Sequence, residues 1–526
     1  MPNILSCRAR LLAWTGCLCA VVAMPGNAST PRAPEHVTPP AIRNASAQIG
    51  QTLEAVQKTP GSFPAFSIVI AHGADAPLIE VHGRARADRP TPANRHTLFY
   101  IASQTKSFIG LLAAILDRKG VLPLDTTLAQ VWPGLKLPAP ADPGRITMAD
   151  LLSHQEGLRT DTLNLVTAYV RDVPAADYPH LLASDTRTRK PGFRYANLGD
   201  LVYGAALKAR TGRSWRDWLD AEVLEPLQLK HVVSRTSTVA PALLSWNHQW
   251  DGAHWIALAP KPDALMHAAG GLMASSEDMA TWMRANLAPL AAGGGIDPVA
   301  FRVAQHPLAR ADLADGEINC DGYSLGWYTC TYKGEHVLMH PGSYTGAVSV
   351  TVLVPSADAG MSLMVNSDSA MEGLELELMK AFIGLVTGKP GEVQRLHKAA
   401  VDYPARLASK TRKRLDAIAQ ARADPTWGGW NWQPTASELD AFVGRYYNPI
   451  FGTMQVARID GALDARIGAM HLSLKPAQPG LFGASAGTLE PPEPLRFDAD
   501  RRALHWNDAV FTREPDSRSD QTHPTR

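Results

Sequence analysis

Ile101-Ala102-Ser103-Gln104-Thr105-Lys106 stands directly before an apolar run from Phe108 to Lys119, and Gly120 closes it. A run this apolar on every side reads as a buried helix, with glycine at its C-terminal stop. Upstream, Phe66–Ala71 and Leu78–Gly83 are β-rich and joined by Gly73-Ala74-Asp75-Ala76, the pattern of a hairpin. Downstream, helices are expected at 148–153, 198–210, 214–221 and 276–287. Strand patterns return at 323–332, 335–339, 346–354 and 360–366. Strands open this region, helices fill its middle and strands close it. That order predicts an α+β fold, an antiparallel sheet flanked by helices with an all-α subdomain.

The same patterns divide the chain. Residues 1–28 read as a secretory signal: Arg8 and Arg10, an apolar run from Leu11 to Met24, then Gly26-Asn27-Ala28 before a cut. An uncut N-terminal anchor is the alternative, although the run is short for a comfortable span. Trp14-Thr15-Gly16-Cys17 is a poor lipidation site, with Trp14 three residues before the cysteine. Residues 29–45 are expected to be a flexible linker, and 46–388 a globular domain. Residues 389–430 read as a helical basic linker, with Arg395, Lys398, Arg406, Lys410, Arg412, Lys413 and Arg414 on a solvated face. Residues 431–515 alternate short strands with turns, a small antiparallel β-barrel-like domain, and 516–526 are expected to be a polar, disordered tail.

Composition narrows the function classes. The chain has 526 residues, 45% hydrophobic and 19% charged, which is neither a disordered chain nor a polytopic membrane protein. Lys plus Arg number 51 against 50 Asp plus Glu, so there is no basic footprint for nucleic acid. Five cysteines in a chain this long exclude a disulfide scaffold, and the lack of a Cys-x-x-Cys pair argues against a zinc ribbon. Removal of the signal takes Cys7, Cys17 and Cys19 with it and leaves Cys320 and Cys330, an even pair in an exported chain. A disulfide between them suits an oxidising compartment; two free buried thiols are the alternative. No stable membrane span is expected in the mature chain.

Three fragments carry chemistry. Ser103 and Lys106, at i and i+3, share one helical face. A neutral amine there can take the hydroxyl proton, and both burial and the helix N-terminus disfavour its charged form. Taken alone, the fragment is equally an N-cap serine with a solvated lysine. Pro191-Gly192-Phe193-Arg194-Tyr195-Ala196-Asn197 precedes a helix. Its Tyr195 can shuttle a proton if a cationic neighbour lowers its pKa, and Asn197 can hold a carbonyl. A core tyrosine and a helix-capping asparagine are the alternatives. His340-Pro341-Gly342-Ser343 lies in strand pattern. Pro341 has no N–H, so this strand is expected at a sheet edge beside a cleft, and Gly342 would admit a substrate close to the backbone. A plain turn is the alternative.

Together the fragments resemble the serine β-lactamases and penicillin-binding D,D-peptidases, in their class C-like branch: Ser103-x-x-Lys106, Tyr195-Ala196-Asn197 and His340-Pro341-Gly342 match its three motifs in order. Segments at 120–125, 146–158, 225–227 and 269–273 are similar too, and the resemblance covers residues 46–385. It implies acyl transfer through a serine ester. Ser103 would be the nucleophile, and Lys106 and Tyr195 would share base and acid work. Asn197 would orient the substrate amide, and the N–H groups of Ser103 and Ser343 would form the oxyanion hole. No metal or organic cofactor is implied, and His154 falls in a structural loop. The C-terminal β-unit resembles accessory barrels of some members, structural or shaping the cleft entrance.

One departure matters. The lysine common at the start of the third motif is replaced by His340, which is mostly neutral near pH 7. That weakens the case for β-lactams and leaves peptides containing D-amino acids, small amides and esters as substrates. The expected protein is therefore an exported, periplasmic serine hydrolase acting on a small molecule or peptide, with no nucleic-acid partner. A carboxylesterase with the same machinery and a catalytically silent cell-wall binding protein are the rival readings. The oligomeric state is not legible.

Overall fold

The computed structural model describes residues 38–515 except 191, 290–294 and 372; the expected signal and tail lie outside the described residues. The hairpin of β1 (Ala65–His72) and β2 (Leu78–Gly83) forms as its alternation demands. It joins β3 (Ala309–Asp315), β4 (Ile318–Tyr323), β5 (Tyr328–Tyr332), β6 (Glu335–Tyr344), β7 (Ala347–Val354) and β8 (Ala359–Val365). All eight make one antiparallel sheet in the order β3-β4-β5-β6-β7-β8-β1-β2. The early hairpin and the last strand meet through β1 and β8, Phe66 opposite Val365.

Both faces of this sheet are covered, and period two sorts its side chains between them. Phe66, Ile68 and Ile70 enter one core, whereas Ala65, Val69 and Ala71 enter the other. On the first face lie α1 (Pro40–Gln57), α5 (Leu374–Val386) and α6 (Glu392–Arg422). On the second lie α2 (Thr105–Arg118) and α4 (Ser276–Leu287), with Phe108 stacked on Trp282. α3 (Leu198–Thr211) belongs to the helical layer beyond α2. Every residue of α2 from Thr105 to Leu116 is buried, as its all-round apolarity requires.

Three expectations need correction. The linker expected to reach residue 45 overlaps α1, which starts at Pro40; proline at the first helical position is a preorganised start. The basic segment is not a solvated linker. Leu396, Ala399, Tyr403 and Leu407 are buried on one side of α6, which packs against α1 and α5. Its cations meet acids: Arg395 pairs with Glu317, Glu377 and Glu392, Lys398 and Arg406 with Asp402, and Arg414 with Asp368. Finally, β6 is not an edge strand, since it lies between β5 and β7. The proline rule holds only locally: β5 pairs with Glu335–Met339, and from His340 onward β6 has β7 alone as its strand partner.

Cys320 and Cys330 stand opposite each other on β4 and β5 and form a disulfide. The C-terminal strands β9 (Gly444–Asn448), β10 (Gly452–Ile459), β11 (Ala462–Ile467), β12 (Met470–Gln478), β13 (Leu481–Ser485), β14 (Glu493–Phe497), β15 (Ala503–Trp506) and β16 (Ala509–Arg513) close into a barrel. Tyr446, Phe482, Phe497, Trp506 and Phe511 fill its interior, so it is a packed core. Among the described residues, no helix is long and apolar enough to cross a membrane.

Candidate active site

The short strand Phe99–Tyr100 leads into a 3-10 turn, Ala102–Gln104, from which α2 continues. Ala102 carries φ 47°, a left-handed conformation that costs a non-glycine residue energy and is held by its surroundings. The holders are hydroxyls on β7. Ser349 donates to the Ile101 carbonyl at 2.9 Å, and Thr351 donates to Gln104 Oε1 at 2.6 Å. Gly342 faces the same turn: a Cβ there would sit 2.2 Å from the Ile101 oxygen and 2.4 Å from Ser349 Oγ. The glycine thus admits the nucleophile's own backbone, where a substrate had been expected.

The three fragments converge. Lys106, buried, directs Nζ to Asn197 Oδ1 at 2.8 Å, to the Ala269 carbonyl at 2.7 Å and to Ser103 Oγ at 3.4 Å. Asn197 occupies the N-cap position of α3, yet its side chain makes no cap bond and serves Lys106. The Lys106 ammonium also lies 4.9 Å from the centre of the Tyr195 ring. Ser103, Asn197 and Ser343 line one cleft of about 390 Å³ with Tyr100, Tyr169 and Tyr344.

Burial sets the protonation states. It lowers the Lys106 pKa below its ordinary value, and the charge of Asp200 partly restores it. Asp200, buried in the first turn of α3, is raised by burial and pulled back by Lys106; its Oδ2 has no hydrogen-bond partner. Sequence reasoning passed over Asp200, because an acid in a first helical turn is ordinary dipole chemistry. Tyr195 keeps 38% of its surface exposed, but desolvation still raises its phenol above the usual value, against a hydrogen bond with Ser103. The lowering by a cation that its position suggested does not occur.

His340 is buried, not presented to the cleft. Its Nδ1–H donates to the Pro341 carbonyl at 2.7 Å, so Nε2 accepts from the Tyr323 hydroxyl at 3.0 Å. Burial first, and the Lys106 charge second, hold its pKa down at about 3. His154 is also buried, its ring 4.7 Å from that of Tyr195, and neither ring nitrogen has a hydrogen-bond partner. It packs; it does not relay protons. His154→Phe should therefore cost less than about tenfold in kcat, where loss of a general base costs about 10²–10⁴-fold; steady-state kinetics on the purified variant checks this.

Lys261 is a further buried amine that sequence reading missed. Its Nζ lies 3.4 Å from the Tyr100 hydroxyl and 4.3 Å from the Tyr344 ring centre, and burial brings its pKa down to about 7. Among the described residues, one group has metal-ligand spacing: Glu54, Glu80 and His82. It lies on α1 and β2, where His82 pairs with Glu54 at 3.4 Å and Ser46 donates to Glu80 at 3.3 Å.

A two-sided antiparallel sheet with a Ser–Lys pair at the mouth of its central helix defines the β-lactamase/transpeptidase-like fold, here followed by a closed barrel. Residues 51–382, more than half of the chain, match the Beta-lactamase family model, and the chain belongs to that family of hydrolases. Protein flp of Staphylococcus aureus (strain MW2) is 24% identical over 312 residues, covering 59% of this chain and only 61% of that relative's length. Two solved structures share the fold. A penicillin-binding protein homologue from Pyrococcus abyssi, described as octameric, has a TM-score of 0.55 at 17% identity, covering 89% of this chain and 99% of its own. The D-amino acid amidase from Ochrobactrum anthropi SV3, complexed with L-phenylalanine amide, has a TM-score of 0.52 at 19% identity, covering 68% and 99%.

Proposed function

We propose that the chain is an exported serine hydrolase that cleaves amide bonds in small D-amino-acid amides or peptides through an acyl-enzyme at Ser103. The observation that carries this reading is the buried Lys106 ammonium held between Ser103 Oγ, Asn197 Oδ1 and the Ala269 carbonyl at the cleft. In this reading the neutral Lys106 amine takes the Ser103 proton as Oγ attacks the substrate carbonyl, and Tyr195, which stays protonated, serves as the acid side of the exchange. The N–H groups of Ser103 and Ser343 receive the oxyanion. The proton then passes to the leaving amine, and water repeats the sequence to release the acid.

The substrate class follows from charge. His340 stays neutral and turned into the Tyr323 contact, so it offers no cation to a substrate carboxylate. Amides that lack a free carboxylate suit such a cleft better than β-lactams or free D-Ala termini, and the amidase likeness is in line with that. The same observation favours a second reading, a carboxylesterase with the same Ser103, Lys106 and Tyr195. Export to the periplasm is supported by the signal-like pattern of residues 1–28 and by the Cys320–Cys330 bridge.

The test is labelling of the purified protein with a fluorophosphonate and, in parallel, a fluorescent penicillin, with adducts mapped by mass spectrometry. A fluorophosphonate adduct on Ser103, together with release of ammonia from D-amino-acid amides, is expected. Ester turnover without amide cleavage selects the esterase. Absence of any adduct and any turnover leaves a silent binding protein and overturns the enzyme reading.

A further inference from the structure

The C-terminal barrel grips a segment that forms one wall of the catalytic cleft. The segment is the π-helical turn Val166–Val170 with Arg171 behind it. On its inner side, Ala168 and Tyr169 line the cleft with Ser103. Tyr169 stacks on Tyr344 at 5.4 Å, its hydroxyl meets Thr345 Oγ1 at 3.3 Å, and Tyr344 donates to the Ala168 carbonyl at 3.4 Å. Tyr344 ends β6, the strand that carries Ser343.

On its outer side the segment meets two barrel turns. In the β11–β12 turn, the Ala469 N–H donates to the Val170 carbonyl at 2.8 Å. Gly468 lies against that same carbonyl with φ 56°, and a Cβ there would stand 2.1 Å from its oxygen. In the β9–β10 turn, the Ile450 carbonyl accepts from Arg171 Nη2 at 2.7 Å and from Nε at 3.1 Å.

Packing from the remaining side is incomplete. A cavity of about 650 Å³ adjoins the segment, lined by Thr167, Asp172 and Val173 together with Trp132, Tyr178 and Trp215. His267 borders both this cavity and the catalytic cleft. A wall with open volume behind it can yield, so its position depends on what holds its ends.

We propose that the barrel is a positioning clamp: through Gly468, Ala469 and Ile450 it fixes Val170 and Arg171, and so sets how large an acyl group fits between Tyr169 and Ser103. This rests on the hydrolase reading of Ser103. It gives the barrel a role in acyl-group selection without placing any barrel side chain in contact with the substrate. Release of the clamp lets the wall move toward the cavity. Bulky acyl groups then gain entry, and small ones lose a surface that orients them.

The experiment compares the full-length protein with Gly468→Ala and Arg171→Met. The readouts are kcat and KM for p-nitrophenyl acetate and p-nitrophenyl phenylacetate, the rate of Ser103 labelling by a fluorophosphonate, and the melting curve. Gly468→Ala places a methyl against Val170; Arg171→Met removes the Ile450 bonds and leaves the barrel sequence untouched, so one variant remains informative if the other unfolds. The expected result is a change of about fivefold or more in the kcat/KM ratio toward the bulky ester, carried by KM, with labelling of Ser103 retained. An active wild type whose ratio is unchanged in the folded variants, including an equal fall for both esters, overturns the clamp alone. A wild type that neither labels nor turns over esters overturns the hydrolase reading and the clamp with it.

Discussion

Lys106→Met is expected to slow acylation of Ser103 by about 10²–10⁴-fold, the range for loss of a positioned general base. The argument is geometric before it is electrostatic. Lys106 Nζ is fixed by Asn197 Oδ1 at 2.8 Å and the Ala269 carbonyl at 2.7 Å, which leaves Ser103 Oγ at 3.4 Å as its third contact. No other amine is hydrogen-bonded to Ser103 among the described residues. Burial then favours the neutral form that a base needs. A lysine works as a base once deprotonated, so kcat/KM should rise with pH. The ascending limb should lie well below the 10.5 of an ordinary lysine.

Asp200 gives that limb a signed test. Its charge opposes the lowering at Lys106, so Asp200→Asn should move the limb to still lower pH. Methionine leaves Asn197 Oδ1 and the Ala269 carbonyl without their donor and Asp200 without its opposite charge, so the melting temperature of Lys106→Met should fall, and acylation is to be measured well below it. A fall in activity with a preserved fold separates chemistry from collapse. Ser103→Ala should lose at least as much, and the double variant little more, because the two residues act in one step. A Lys106→Met enzyme that keeps its acylation rate and pH profile would assign the base to Tyr195 alone.

What the sequence disclosed depends on the range of the interaction. The hairpin at 66–83 and the strands at 346–366 were legible because alternation of period two is local. Their pairing across almost three hundred residues followed from the order of elements, not from any residue. α1 was missed, although Ile42, Ala45, Ile49, Leu53 and Val56 carry helical spacing from its first turn; the proline-rich stretch before it hides where the helix starts. The charges of α6 looked solvated because three of the acids that meet them, Glu317, Glu377 and Asp368, come from elsewhere in the chain.

The site divides in the same way. Ser103, Lys106, Tyr195 and Asn197 were legible as motifs, and the structure brings them together. The parts that hold them were not. Ser349 and Thr351 occupy the polar positions of an alternating strand, a pattern that ordinarily marks the solvent face. Here that face is buried beneath the nucleophile's turn. Lys261 gave no signal at all, since nothing near it in sequence predicts that Tyr100 and Tyr344 will enclose it. His340 shows the converse: its motif is legible, but its burial away from the cleft, against the expected substrate contact, is not, and its neutrality follows more from burial than from its reference pKa.

Gly342→Ala is the substitution expected to do most damage for its size. Its added methyl would stand 2.2 Å from the Ile101 carbonyl oxygen and 2.4 Å from Ser349 Oγ, distances that real Cβ atoms do not adopt. Neither obstacle is a flexible chain end. The Ile101 carbonyl belongs to the backbone that leads into Ser103, and Ser349 is bonded to that same carbonyl. Relief therefore comes from moving the nucleophile's turn away from β6. That separates Ser103 from Ser343 on the strand that would complete the oxyanion hole. A displacement near 1 Å in a reacting group costs about 10²-fold, and overpacking of this kind costs about 1–3 kcal/mol in stability. The two losses are separable with Gly212→Ala. Gly212 has φ 72° at the end of α3, and nothing lies within 4 Å of the added methyl, so this variant should lose about 1 kcal/mol of stability with kcat retained. Denaturant melts and single-turnover acylation on both variants test the argument. If Gly342→Ala acylates as fast as Gly212→Ala, the turn yields without moving Ser103, and the close contact with β6 is not what positions the nucleophile.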